Sequence, residues 1–172
     1  MSFLSKIKQL DLSPIAYKLM HPETGKGWNR VQVSRALTHY IMFLGLVYLY
    51  PNVAIVPNRE IDQVWHQHIL DTSKYAEDCQ MLFGRFVHHF PYFGIRNAGD
   101  RQDLDAAFGE TQALFQQHFG MTLAEADTDT SEETNSDAKE PGVCVLVEHT
   151  NAMRPSVDIE IEISEQISEF FG

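Results

Sequence analysis

Asn58-Arg59-Glu60-Ile61-Asp62-Gln63-Val64-Trp65-His66-Gln67-His68-Ile69-Leu70-Asp71-Thr72 is the stretch that decides the fold. Its apolar residues Ile61, Val64, Trp65, Ile69 and Leu70 fall on one stripe at helical spacing, not on the two-residue alternation of a strand. Pro57-Asn58 launches this helix, and the capping residues Asp71-Thr72-Ser73 predict a break or kink at its end. The same stretch concentrates chemistry. Asp62 to Thr72 holds two histidines and two carboxylates, and His88-His89 follows beside Pro91, so half of the eight histidines of the chain fall in one window.

Working outward, the helical period persists. Phe3, Leu4, Ile7 and Leu10 form a first helical stripe, and Ser13-Pro14 reads as an N-cap with proline at the first helical position. Asn29 caps a third helix that is nearly all apolar from Tyr40 to Leu49, which predicts an element buried on every side and central to the fold. Beyond Thr72, a further helix carries Tyr75, Cys79, Leu82 and Phe83 and ends at Gly84. Phe86 to Gly94 reads as an aromatic loop holding the histidine pair. Asp100 is the expected cap of a last helix bearing Leu104, Phe108, Leu114, Phe115 and Phe119, closed by Gly120. Residues 1–122 are therefore expected to be a mainly α domain, a bundle of five to six helices.

The remainder differs in composition. Residues 123–142 are dominated by Asp, Glu, Thr and Ser and read as an acidic, disordered linker. Residues 143–172 read as a small β-type segment: Val143 to Val147 is an apolar run, and Val157, Ile159, Ile161 and Ile163 alternate with Asp158, Glu160 and Glu162. After Ser164 the spacing of Ile163, Ile167, Phe170 and Phe171 turns helical. A two-stranded hairpin is marginal alone, so this segment is expected to dock on the helical body or on a partner.

Charge separates the two parts. Residues 1–122 carry 11 Lys+Arg against 11 Asp+Glu, a sum of zero, whereas residues 123–172 carry 2 against 13, which is the whole net charge of -11. A neutral body with an acidic tail and no basic run argues against nucleic acid, whose phosphates are bound by clustered Lys and Arg. Tyr40 to Tyr50, the most apolar stretch, is too short to span a bilayer, and residues 1–20 hold no secretory signal pattern. Cys79 and Cys144 form no disulfide framework and read as reduced, buried thiols, which points to a cytoplasmic protein.

The candidate site is the histidine window. Asp62 and His66 stand four apart on one helix face, a spacing that supports either an Asp–His hydrogen bond or shared ligation of a metal ion. His68 lies roughly 200° round the helix from His66. One straight helix cannot aim both at one ion, so a joint role for His66 and His68 requires a kink near Asp71 or further ligands on each side. A loop histidine, His89 or His88, can fold back to complete a two-histidine, one-carboxylate set, of the kind that suits Fe(II) or Zn(II) with an open position. The metal candidates are therefore Asp62, His66, His68 and His89. The competing reading makes the same histidines structural, each satisfying a local hydrogen bond. Cys79 as a nucleophile needs a basic neighbour that the sequence does not supply.

On Ile61-Asp62-x-x-Trp65-His66-x-His68-Ile69-Leu70-Asp71-Thr72, Tyr75-x-x-Asp78-Cys79, and Phe83-Gly84 followed by His88-His89-x-Pro91-Tyr92, the chain resembles the glycine-rich domain-containing protein family over about residues 10–120. The resemblance implies a shared helical domain in an intracellular protein, and places Asp62, Trp65, His66, His68, Tyr75, Asp78 and His89 in its motif. It supplies no settled activity. The added glycine-rich or RNA-binding segment of several plant members has no counterpart here. The sequence thus leads to a cytoplasmic, metal-binding helical domain whose open site would permit hydrolytic or oxidative chemistry. The alternative is a non-catalytic interaction module that engages a protein partner through its acidic C-terminal segment.

Overall fold

Each helix begins where a short polar side chain can satisfy the unpaired N–H groups of a first turn. The computed structural model describes residues 2–123, 154–161 and 163–172. Ser2 caps α1 (Phe3–Ile7), and α2 (Ser13–Met20) follows, with proline in its first turn. Asn29 caps α3 (Arg30–Leu49) in a reciprocal capping box with Gln32, and Asn58 caps α4 (Arg59–Leu70). Asp71 ends α4 and caps α5 (Thr72–Phe83), so the expected break is a helix–helix corner. Gly84 and Gly120 close α5 and α6 (Ala98–Phe119) in the left-handed conformation, with φ of 68° and 64°. Residues 1–122 thus hold six helices, the upper expectation, and a seventh, α7 (Glu165–Phe171), follows Ser164 where the spacing turned helical.

Two caps differ from the sequence expectation. Ser13 is already helical; its N–H and hydroxyl both donate to Asp11. Asn97, not Asp100, caps α6. Asp100 is spent instead on the preceding turn, accepting from the Gly94 and Arg96 amides and the Arg96 guanidinium.

α3 is the central element, as its all-round apolar surface requires: Val33, Ala36, Leu37 and the run Tyr40 to Leu46 are buried. It packs on α2 and α4, while α4 also meets α2 and α5. α7 packs on α6 and α1, burying Ile167 and Phe171.

The β-type expectation needs correction. No strand occurs among the described residues. Val157, Ile159, Ile161 and Ile163 do turn a half-buried face to the core, and Asp158 and Glu160 face solvent, so the alternation was a true sign of one-sided burial. The covering surface is a helix, however. Residues 154–161 run as an extended strap along α3, where Arg30 donates to the Asp158 carbonyl and Ser34 to that of Glu160, both at 2.5 Å. Residues 124–153, with most of the expected linker, the run Val143 to Val147 and Cys144, lie outside the described residues. Among the described residues no helix is long and apolar enough to cross a membrane.

Candidate metal centre

α4 sets the site by its own period. Asp62 and His66 are one turn apart, with Asp62 Oδ2 3.1 Å from His66 Nδ1. The second histidine comes from the loop after α5, which is folded back by a tyrosine. The Tyr75 hydroxyl accepts from Trp65 Nε1 at 2.9 Å and donates to the Val87 carbonyl at 2.6 Å, tying α4, α5 and the loop together. Two residues on, His89 lays its ring against Trp65 (centroids 4.6 Å apart) and sets Nε2 3.0 Å from Asp62 Oδ1. One carboxylate thus meets two imidazoles, whose rings are also 4.6 Å apart.

One ligand atom from each of Asp62, His66 and His89 lies within 4.8 Å of the other two. First-row metal ions hold N and O donors at about 2.0–2.2 Å, so the three donors can converge on one ion with small side-chain adjustments. The chemistry also fits, because two neutral imidazoles and a carboxylate are the common nitrogen–oxygen donor set for iron(II) and zinc. The site is reachable: the side chains of His66, Asp62 and His89 are 48%, 34% and 17% exposed.

The structure brings three of the four sequence candidates together and sets His68 apart. At 1% exposure His68 points into the core; its Nδ1 is 2.9 Å from the Tyr40 hydroxyl and its Nε2 2.8 Å from Asp78 Oδ2. The corner at Asp71 comes too late in α4 to turn it toward His66. The loop pair also divides. His89 faces inward, whereas exposed His88 rests on Phe86.

Sequence reasoning missed the partners of this buried network. Asp78 reads from sequence as a surface acid, yet it also takes Lys74 Nζ at 2.9 Å. The Lys74–Asp78 spacing of four was the available signal. Tyr40 lies 28 residues from His68 and gave none. Burial pushes the hydroxyls of Tyr40 and Tyr75 and the thiol of Cys79 up from their ordinary values, so Cys79 stays a protonated thiol at neutral pH.

With the geometry in place, comparison with known proteins adds the lineage. A family model described as UCP032817-like matches residues 15–108, just over half of the chain and the span that holds every residue of the site. Glycine-rich domain-containing protein 1 of Arabidopsis thaliana is 26% identical over 130 residues, covering 69% of this chain and 15% of that protein. Glycine-rich domain-containing protein 2 of the same plant is 29% identical over 112 residues, covering 63% and 14%. The resemblance read from the sequence is borne out at the level of these relatives, although the chain spans only about 15% of their length. No solved structure matches.

Proposed function

The chain belongs to the UCP032817-like family, and we propose that its helical body is a divalent-metal-binding domain. The observation that carries this reading is the convergence of Asp62, His66 and His89 to within 4.8 Å at a solvent-accessible surface. Asp62, His66 and His89 are the ligands, with iron(II) or zinc the ions that suit the set and leave positions open for water or substrate. A bound ion would supply Lewis-acid polarisation or lower the pKa of a bound water, the starting point for hydrolytic or oxidative chemistry. The chain's own part is orientation. Trp65 limits the tilt of the His89 ring, and the Tyr75 hydroxyl fixes the loop that presents it. His68 belongs to the core beneath, where Asp78 and Tyr40 hold it, and is not a ligand.

The setting proposed is the cytoplasm, where Cys79 remains a free thiol. The acidic residues between 123 and 172, which hold the entire net charge, are the proposed contact for a protein partner, a role that stands beside the metal site.

Elemental analysis tests the metal reading. Untagged protein purified without chelator should contain about one equivalent of iron, zinc or manganese. His66→Ala should lose it while keeping its helical circular-dichroism spectrum, because the His66 side chain is about half exposed on the surface of α4. Metal that survives the substitution, or its absence from the parent protein after supply of each ion, would sink the proposal.

A further inference from the structure

Glu60 stands two residues before Asp62, hence roughly 200° round α4, and serves a different cluster. Its carboxylate is buried and both oxygens are engaged. Oε1 accepts from Arg35 Nε at 3.0 Å and Nη2 at 2.9 Å, and Oε2 lies 3.0 Å from His39 Nδ1. Burial alone would raise this carboxyl, but the hydrogen bonds from His39 and Arg35 outweigh it and hold the group below its ordinary value. The ionised carboxylate can only accept, so Nδ1 of His39 carries the proton. Glu60 therefore acts from behind, fixing the guanidinium plane of Arg35 and the ring of His39.

Both of those side chains line a cleft of about 660 Å³ between α3, the strap and α7. That volume is typical of small-molecule sites, roughly 300–1,000 Å³, and the arrangement is typical too: apolar walls with a few convergent polar groups. The walls are Met42, Ile159 and Ile167. The polar groups are donors in excess. Arg35 has five N–H groups and gives two to Glu60; Arg30 gives one, through Nη1, to the Asp158 carbonyl. With its proton on Nδ1, the neutral His39 ring presents Nε2 as an acceptor, so the donors left over in the cleft are guanidinium N–H groups. Arg30 and Arg35 are balanced by Glu60 and by Glu160 at the rim, so a dianion such as phosphate gains little. One acceptor-rich group on an apolar body satisfies the donors and buries the walls together.

We infer that this cleft binds a small organic monocarboxylic acid, its carboxylate held by the free guanidinium N–H groups of Arg35 and Arg30 and its apolar body by Met42, Ile159 and Ile167. The site is separate from the metal centre and needs no metal.

Octanoate, kept monomeric, is the probe, followed by NMR of methyl-labelled protein at Met42, Ile159 and Ile167. Saturable shifts at these methyls are expected. Octanol, which lacks the anionic head, and butanoate, which lacks most of the apolar body, should each bind at least tenfold more weakly. Inorganic phosphate should leave the methyls unmoved. Ile159→Trp, on the half-buried strap, should fill the cleft and remove octanoate binding. If that variant misfolds, the ligand series on the natural protein decides alone. Octanol binding as tightly as octanoate, phosphate shifting the same methyls, or octanoate shifts that are absent or spread over the whole molecule would each overturn the inference.

Discussion

Replacing Gly45 by alanine tests how the C-terminal helix is held, because two known effects oppose each other there. In a free helix interior, alanine for glycine gains about 0.8–1.0 kcal/mol. In this protein a β-carbon at position 45 would stand 2.0 Å from Phe171 Cε1 and 2.5 Å from its Cζ. Non-bonded carbons rest at about 3.5–4.0 Å, so the Phe171 ring would have to retreat by roughly 1.5 Å. It has little room, being 4% exposed and flanked by the rings of Phe3 and Phe170, each 5.1 Å away between centroids. Overpacking of this kind costs about 1–3 kcal/mol and outweighs the propensity gain. The expected net loss is up to about 2 kcal/mol, or about 2–4 °C in Tm for each kcal/mol in a chain of this size. Urea and thermal unfolding of Gly45→Ala, Phe171→Ala and the double variant would measure it. Once the ring is gone, alanine at 45 should become neutral or stabilising by up to about 1 kcal/mol. A single Gly45→Ala variant that gains stability, with no coupling to Phe171, would refute the packing of α7 on α3.

Asp78→Ala should lower stability by about 1–3 kcal/mol, since it leaves His68 Nε2 unpaired in the core; unchanged denaturation would mean the network contributes nothing. Tyr75→Phe strips the partner from both Trp65 Nε1 and the Val87 carbonyl. It should cost about 1–3 kcal/mol and weaken metal binding through His89, read by isothermal titration against His89→Ala; unaltered metal affinity would detach Tyr75 from the site. Glu60 has a folded-state pKa below its unfolded value, so its stabilisation is present above the unfolded carboxylate range near pH 4.3 and is lost as pH falls through the lower, folded value. Glu60→Gln should therefore be less stable than the parent at pH 7 and should converge with it in acid; a gap between them that stays constant with pH would contradict the assignment.

What the sequence disclosed about this fold was periodicity and punctuation. Asn29, Asn58, Asp71, Gly84 and Gly120 sit at helix ends because their local chemistry decides the backbone there, and local chemistry is what a sequence displays. The choice of partner across space was hidden wherever two partners were locally equivalent. Asp100 and Asn97 are both good caps, and Asp100 went elsewhere only because Gly94 and Arg96 present donors that the fold creates. The alternation from Val157 to Ile163 correctly announced one buried face but could not announce that a helix, rather than a strand, would cover it.

The same distinction explains the candidate sites. Two residues apart on one helix means opposite faces, so α4 delivers Asp62 with His66 to one side, His68 to another, and Glu60 to a third cluster altogether. The first of these was legible because a spacing of four and a neighbouring histidine pair advertise it. The Glu60–His39–Arg35 cluster was not, since His39 stands alone in the sequence and Arg35 reads as an ordinary surface cation on α3. Only the crossing of α3 against α4 brings them to one carboxylate. A window dense in histidine draws the eye to one face of α4, while the helix geometry requires that its other faces be read with equal care.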